Sequence, residues 1–389
     1  MNAVNVLVLS LIICSQCLAE SQKLYIGLDA DMSAVAKTGG IAISRGAQIA
    51  IDEINQQGGL LGKELALIVK DHRGNPARGM DNLLTLAKQP NLLAVLGGVH
   101  TPVALRELPI IHQHNLIYLG PWAAGTPIVD NNYEPNFVFR ISVRDTEAGK
   151  VFINYAKSLG ISKIGLLLER TAWGRSNERS ITASAAESAI EVSNTAWFNW
   201  GQKDFSESLR VLKKQEVEAI VLVANTDSGV EIARNILADS SISKLPIISH
   251  WGITGGDFVS SLGLDNLNAL NLSILQTYSF ESPYYPEKNN YLIARYQDLF
   301  NPSVTHKTIP GASGLAHAYD LVHLLAIAVK KAGSTKRKEI RNALETIGSY
   351  RGLVKHYQPA FSINQHDALM AEDYMMSRFD EAGWLRPIK

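Results

Sequence analysis

Short apolar runs alternate with longer stretches whose apolar residues recur every three or four positions. The first series of short runs, typical of strands, covers residues 24–28, 65–70, 92–96 and 116–119. The stretches between them, typical of helices, cover residues 41–56, 77–88 and 103–114. This β-α-β-α alternation predicts a parallel sheet covered by helices on both faces.

A second series of the same kind begins near Arg140. Its predicted strands cover residues 163–168, 191–198, 219–223 and 246–249. Its predicted helices cover residues 146–159, 176–189, 205–214 and 229–238. Helices at 291–300, 314–332 and 336–347 and a β stretch at 368–379 complete the chain. The length suits two domains, so we expect an α/β protein with two Rossmann-like lobes and parallel sheets.

The N-terminal segment has the composition of an export signal. Residues 1–19 contain no Asp, Glu, Lys or Arg, hold an apolar run at 4–13 and end in Cys17-Leu18-Ala19. We expect cleavage after Ala19 and a location in the periplasm; the alternative is a buried N-terminal strand or helix. Cys14 and Cys17 are the two cysteines of the chain, so the mature protein would have no disulfide or reactive thiol. Lipidation needs a small residue directly before the modified cysteine, whereas Ile13 precedes Cys14 and Gln16 precedes Cys17.

The balance of charges argues against nucleic acid and a membrane surface as binding partners. The chain has 37 Lys plus Arg and 37 Asp plus Glu, whereas nucleic-acid binding needs clustered basic surface. No polybasic run would hold a membrane surface. We also expect no later segment long and apolar enough to cross a membrane.

Ligands of open α/β sheets bind beyond the carboxyl ends of the strands, where helix N-termini offer N–H groups. The loop at residues 97–102 follows one such strand and contains His100. We expect Thr101 to cap the next helix and Pro102 to be its first residue. The helix end would suit a carboxylate; the alternative is an ordinary capped turn.

Three tryptophans also follow predicted strands directly. Trp122, Trp173 and Trp251 are placed where indole rings could wall a small-molecule pocket. Each one alone is more often a core residue, but three in equivalent positions favour a pocket.

Five stretches together carry a family resemblance: GGIAISRGAQIAIDEINQQGGLLGKELALIVKDHRGNP, VLGGVHTPVALRELPIIHQHNLIYLGPWAAGTPIV, FVFRISVRDTEAG, IGLLLERTAWGRSNERS and GLAHAYDLVHLLAIAVKKAGS. Over nearly its whole mature length the chain resembles the periplasmic solute-binding proteins of branched-chain amino-acid ABC transporters. The resemblance implies a type I periplasmic-binding-protein fold, a small-molecule ligand and an ABC transporter permease as partner.

The resemblance also implies how the chain divides. Family lobes are joined by three crossing segments, which we place near Ile141, Leu275 and Tyr350. Lobe 1 would be residues 21–141 plus 275–348. Lobe 2 would be residues 142–274 plus 349–389.

The resemblance places the ligand on loops of both lobes. Thr101 matches a family Ser or Thr hydroxyl, Ala123 and Ala124 match backbone contacts, and Trp173 matches a Tyr that closes over the ligand. We add to these the other candidates that follow predicted strands. The candidate ligand-binding residues are then Asp31, His100, Thr101, Trp122, Ala123, Ala124, Trp173, Asn225, Thr226, His250 and Trp251.

The chain departs from the family at two places. Thr38-Gly39 stands where the leucine/isoleucine/valine-binding protein has a Tyr, and His250-Trp251 stands where it has an acid for the ligand ammonium. Asp29, Asp31 or Asp227 could compensate a buried ammonium. Alternatively the ligand has none and is a flat aromatic or amide-bearing molecule, or a cation held by ring faces.

Three rival functions are weaker. The chain lacks H-E-x-x-H, G-x-S-x-G, Walker and G-x-G-x-x-G motifs, so we expect that it is not an enzyme and has no cofactor or metal site. Glu169 and Arg170 could support acid/base chemistry, but we expect them to form an ion pair. A ligand sensor acting on a receptor or kinase would have the same fold, and the sequence does not separate it from a transport protein. A structural adhesin would leave the tryptophan-lined cleft without a role.

Overall fold

Two α/β lobes, each built on its own sheet, form the molecule. The computed structural model describes residues 23–388, so the predicted signal peptide, Cys14 and Cys17 lie outside the described residues. The sheet of lobe 1 has five parallel strands in the order β2-β1-β3-β4-β5. These strands are β1 Leu24–Ala30, β2 Leu65–Asp71, β3 Leu92–Leu96, β4 Ile117–Gly120 and β5 Val138–Arg140.

Helices from two separate parts of the chain cover this sheet. They are α1 Lys37–Gln56, α2 Pro76–Ala87, α3 Thr101–Gln113, α10 Pro286–Leu299, α11 Ala312–Ala332 and α12 Arg337–Leu344. The tightest helix pair is α1 with α11. A Cβ on Gly46 would lie 2.1 Å from the carbonyl oxygen of Leu315, so only glycine lets the two backbones approach this closely.

Helix α11 corrects one sequence prediction. By length and composition, it is the one helix of residues 23–388 that could cross a membrane, although 83% of its apolar window is buried inside the protein. The expectation that no segment after the signal meets this criterion is therefore wrong. The apolar composition of α11 follows from its position against α1 and the sheet, where nearly every face is covered.

Lobe 2 has a larger, mixed sheet in the order β14-β13-β10-β9-β8-β6-β7. Its strands are β6 Lys163–Glu169, β7 Glu191–Phe198, β8 Ala219–Val223, β9 Ile247–Ser249, β10 Leu272–Gln276, β13 Met375–Phe379 and β14 Leu385–Pro387. The first five are parallel, and β13 and β14 are added antiparallel at one edge. Its helices are α4 Asp145–Ser158, α5 Ala172–Ala186, α6 Ser206–Lys214, α7 Thr226–Ala238, α8 Phe258–Leu262 and α9 Leu264–Ala269.

The predicted fold class, two α/β lobes with parallel sheets, is confirmed, and the antiparallel strands β13 and β14 are an addition that was not predicted. The chain passes between the lobes after β5, after β10 and again around the small hairpin of β11 Tyr350–Arg351 and β12 His356–Tyr357. The exact lobe boundaries stay a prediction.

Several predicted elements have different bounds; α1 begins at Lys37, not at 41, and α10 begins at Pro286, not at 291. Helix α5 begins at Ala172, not at 176, because the Thr171 hydroxyl accepts a hydrogen bond from the backbone N–H of Gly174 and caps it there. The predicted β stretch at 368–379 is a strand only from Met375 onwards. The Asp373 carboxylate accepts from the backbone N–H of Met370 and holds a short 3₁₀ turn before that strand.

Two carboxyl groups face each other in the interior of lobe 1. Asp29 of β1 and Glu107 of α3 are buried, and Oδ2 of Asp29 and Oε1 of Glu107 have no other hydrogen-bond partner among residues 23–388, so a proton shared between them would satisfy both oxygens. The Asn82 amide donates to the second oxygen of Asp29 at 2.8 Å. Burial raises the pKa of Asp29 to about 6. Burial and the nearby Asp29 charge raise the pKa of Glu107 well above its usual range. The folded protein therefore keeps a proton on this pair at pH values where the unfolded chain has released it.

We expect the Asp29–Glu107 pair to contribute a decrease in the free energy of unfolding as pH rises from about 4 through about 6, because the folded state holds the extra proton of the pair in that window. In Glu107→Gln the amide donates to Asp29 without a titrating proton, so the decrease should shrink by on the order of 2 kcal/mol. Urea unfolding at pH 4.5 and pH 7.5 measures it. Glu187→Gln, an exposed change, is the control. An unchanged pH dependence in Glu107→Gln would contradict this assignment.

Candidate functional site

The loops at the carboxyl ends of strands from both lobes meet around one small buried cavity. Among the predicted site residues, seven line it: His100, Thr101, Trp122, Ala124, Trp173, Asn225 and Trp251. The cavity measures only about 10 Å³, close to the least space that holds one water. The structure thus brings most of the predicted residues together, in an arrangement where the lobes are closed.

Three indole rings line this cavity at the junction of the lobes. Trp122 of lobe 1 and Trp251 of lobe 2 are both 1% exposed, and their ring centroids are 5.2 Å apart. Trp173 is also buried and lies edge-on to the His250 ring at 4.9 Å. A guest at this position must therefore replace contacts that the tryptophans make with one another.

Asp145, which the sequence analysis missed, organises the lobe 2 side. It is the first residue of α4 and is buried. One of its oxygens accepts from Nε2 of His250 at 3.2 Å and from Nε1 of Trp173 at 3.3 Å. The backbone N–H of Trp251 donates to Nδ1 of His250, which fixes the histidine as an Nε2–H donor. One carboxylate thereby orients two predicted site residues, His250 and Trp173.

The Asp31 carboxylate is hydrogen-bonded to the loop that follows it and to His100. Its carboxylate accepts from the backbone N–H groups of Ala34 at 2.7 Å and Ala36 at 2.9 Å, and from Nε2 of His100 at 3.2 Å. Burial raises the pKa of Asp31, but the bonds from His100 and the two N–H groups outweigh it and lower the pKa to about 2. A charged Asp31 therefore holds His100 and the entry to α1.

None of the three acids proposed as ammonium partners, Asp29, Asp31 and Asp227, lines the cavity. Asp29 faces Glu107 inside lobe 1, and Asp227 is exposed in the first turn of α7. The acid on the cavity wall is instead Glu169, at the end of β6.

Glu169 is buried, and burial raises its pKa. Its carboxylate accepts from the Asn225 amide at 2.8 Å and the Thr171 hydroxyl at 3.1 Å. The predicted ion pair with Arg170 is wrong: over residues 23–388, no cationic nitrogen lies within 4 Å of the Glu169 carboxylate. The strand carries Glu169 inwards to the cavity. Its position directly at a strand end was the signal that could have identified it.

The predicted cap at Thr101 is also wrong. Helix α3 starts at Thr101 itself, after an extended His100 that makes no side-chain cap. The Thr101 hydroxyl instead accepts from the backbone N–H of Gly125 at 3.1 Å. Thr101 thus joins the two binding loops of lobe 1.

Internal bonds hold the remaining predicted residues. The Arg140 guanidinium, paired with buried Asp367, donates to the carbonyl of Ala123 at 3.2 Å, while the carbonyl of Ala124 accepts from the Asp145 N–H at 3.0 Å. The Thr226 hydroxyl donates to the Ile253 carbonyl. These residues shape the loops through bonds within the protein.

Direct contacts hold the lobes together. The backbone N–H of Thr126 donates to the Ser176 hydroxyl at 3.2 Å, and the Thr38 hydroxyl donates to Asp257 at 3.3 Å. Lys37 approaches the same Asp257 to 3.6 Å. All three contacts join lobe 1 to lobe 2, so the structure represents a closed arrangement.

The family described as "Periplasmic binding protein" matches residues 23–383. The Leu/Ile/Val-binding protein BraC3 of Rhizobium johnstonii is 24% identical over 316 residues, 81% of each chain.

Two solved structures share the fold. The branched-chain amino acid transporter substrate binding protein LivJ of Streptococcus pneumoniae, in complex with isoleucine, has a TM-score of 0.79, 20% identity and coverage of 94% of this chain and 98% of that one. A solute binding protein of an ABC transporter from Rhodopseudomonas palustris BisB5, in complex with 3,4-dihydroxybenzoic acid, has a TM-score of 0.77, 18% identity and coverage of 94% and 96%.

Gly255 offers a way to separate the lobes. A Cβ there would meet Ala36, Trp122 and Val99 of lobe 1 at 3.8–3.9 Å, so alanine fits and a longer side chain does not. We expect Gly255→Leu to increase the radius of gyration in X-ray scattering, because the leucine wedges the lobes apart, while the matched Gly255→Ala scatters like the wild type. If folded Gly255→Leu scattered like the wild type, the lobes would not be held by this contact.

Proposed function

The chain belongs to the periplasmic binding protein family, and we propose that it captures a small ligand between its lobes outside the cytoplasm and delivers it to an ABC transporter. The observation that carries the proposal is the meeting of strand-end loops from both lobes around one cavity with aromatic walls and one acid. A ligand that contacts both lobes stabilises the closed state over the open one. Closure thereby reports occupancy to a permease.

An amino-acid-like, amide-bearing or aromatic ligand fits the chemistry of the walls. Trp122, Trp173 and Trp251 offer ring faces for a flat or apolar group. Glu169 offers a buried carboxylate that a ligand ammonium or amide N–H would satisfy. The BraC3 name and the isoleucine and dihydroxybenzoate complexes of relatives fall within the same range of ligands.

The tight cavity is compatible with capture if the lobes separate first. Trp122 and Trp251 come from different lobes, so hinge opening separates the rings and creates room for a guest. Two α/β lobes connected by several chain passages can bend in this way without losing their own cores. Export by the predicted signal at residues 1–19 would place the protein in the periplasm.

We expect the mature protein, stripped of bound solutes by unfolding and refolding, to bind one small molecule per chain. A thermal-shift panel of amino acids, their amides and aromatic acids should give a stabilised sample for at least one compound, because a ligand that binds only the folded state raises its stability. Calorimetry then gives the stoichiometry. Absence of any shift across the panel would count against a solute-binding role.

Trp173→Ala should weaken binding of that compound by about 1–3 kcal/mol, the scale of a lost buried aromatic contact. The matched control is Trp197→Ala, which removes a half-buried indole of the same lobe outside the cavity. Isothermal calorimetry of both variants measures the effect. Equal affinity in Trp173→Ala and wild type would remove Trp173 from the site.

A further inference from the structure

The sheets of the two lobes end in four edge strands, and three of these edges are protected. In lobe 1, the backbone of Arg140 in β5 is bonded to His366 and Ala368 of the third crossing segment, at 2.8 and 2.9 Å. In lobe 2, β14 is three residues long and ends in Pro387, while β7 has a bulge at Ser193 where its register with β6 shifts. A cover, a short strand, a proline and a bulge each prevent an edge from pairing with another chain.

The fourth edge strand, β2 of lobe 1, has none of these devices. All seven of its residues pair with β1 without a register shift. Its sequence, LALIVKD, contains no proline and begins with five apolar residues. The side chain of Val69 is 44% exposed. A long, regular, apolar edge of this kind is a template for a further β-strand.

Alternate residues of β2 direct their backbone groups away from β1. The Glu64 carbonyl accepts from the N–H of Leu24 at 2.8 Å, and the N–H of His72 donates to the Ala30 carbonyl at 3.0 Å. Because backbone direction alternates along a strand, the even-numbered residues of β2 face β1 in the same way. The odd-numbered residues therefore present their N–H and C=O groups to the open edge.

Two side chains close the ends of this open edge. The Asn55 amide bonds to both the N–H and the C=O of Leu65, each at 2.8 Å. At the other end, the Arg78 guanidinium donates to the Asp71 carbonyl at 3.5 Å. The free part of the edge is the segment between these two residues.

Leu67 and Val69 are the odd-numbered residues of that segment. Their outward N–H and C=O groups have no partner among residues 23–388. Two copies of the segment match in antiparallel pairing about a twofold axis at Ile68, because Leu67 of each copy then exchanges both backbone bonds with Val69 of the other. The same pairing places the exposed Val69 side chain against Leu67 of the other copy.

The charges at the two ends of β2 also fit a second copy. Glu64 directly precedes the strand and Lys70 lies near its end, and their even separation places both side chains on one face of the sheet. The twofold axis brings Glu64 of each copy diagonally opposite Lys70 of the other, within reach of long side chains. Among the described residues, Lys70 has no carboxylate oxygen within 4 Å, and Glu64 has the exposed Lys23 at 3.0 Å.

We propose that β2 is a dimerisation edge, at which a second copy of this chain continues the sheet of lobe 1. Such an interface uses the same strand of both copies, as a twofold dimer requires. The strand next to the crossing segments, β5, lies at the opposite edge of the sheet, so the lobes of each copy stay free to move. The contact is small, and small contacts give weak, concentration-dependent association. The dimer does not depend on what the protein binds between its lobes.

Sedimentation velocity of the mature protein from about 5 to 500 µM tests the proposal, because association depends on protomer concentration. We expect the sedimentation coefficient to rise with concentration towards that of a dimer. Val69→Pro lacks the outward N–H but keeps the ladder with β1, so it should dimerise at least tenfold more weakly. Val69→Thr, which keeps the N–H and the branched side chain, should dimerise within twofold of the wild type. A wild-type protein that stays monomeric throughout this range would overturn the proposal.

Charge reversal identifies the strand and its partner. At low salt, Glu64→Lys and Lys70→Glu should each weaken the dimer about tenfold, because like charges then meet across the axis. The double variant restores opposite charges and should associate like the wild type. Leu159→Lys, a similarly exposed position of lobe 2, is the control and should also associate like the wild type. A dimer unaffected by Val69→Pro and by both single reversals, or a double variant as weak as the single ones, would overturn the assignment to β2.

Discussion

The contact between the indoles of Trp122 and Trp251 joins the two lobes where the strands of both sheets end. At 5.2 Å between centroids, it excludes water from the junction and sets the volume of the cavity beside it. An aromatic pair of this kind contributes about 0.5–1.5 kcal/mol beyond the burial of its area. This free energy is small enough that contacts with a ligand can replace it, and large enough to favour the closed arrangement of the lobes. Asp145, His250 and Glu169 are buried on the lobe 2 side of this junction.

A neutral histidine, His317, and a buried carboxylate, Asp145, position the loops that carry the two indoles. His317 of α11 lies 5.8 Å from the Trp251 ring. It bonds to the Pro121 carbonyl through Nδ1 and to the Thr277 hydroxyl through Nε2. Burial lowers the pKa of His317 to about 4, so a neutral ring links the loop before Trp122 to the segment after β10 at physiological pH. On the other lobe, the Asp145 carboxylate likewise links His250 to Trp173 by accepting a hydrogen bond from each.

Periodicity in the sequence was enough to predict the two lobes, most of the elements and the strand-end loops, since these depend on local patterns of burial. Hydrogen-bond partners were not predictable in the same way. The Thr101 hydroxyl bonds to Gly125 rather than capping its own helix, and Glu169 bonds to Asn225 rather than to its neighbour Arg170. Each of these choices depends on how distant segments pack. For the same reason Asp145 was missed, although it stands in a stretch that carried the family resemblance.

The claim on which this account depends is that the lobes separate and then shut over a guest. Residues 23–389 contain no cysteine, so Lys88→Cys on lobe 1 and Lys214→Cys on lobe 2 allow two spin labels to be attached specifically. Pulsed electron paramagnetic resonance should show two distance populations for the ligand-free protein, and one after saturation with the tightest compound of the panel. A single narrow distance, the same with and without that compound, would contradict the account.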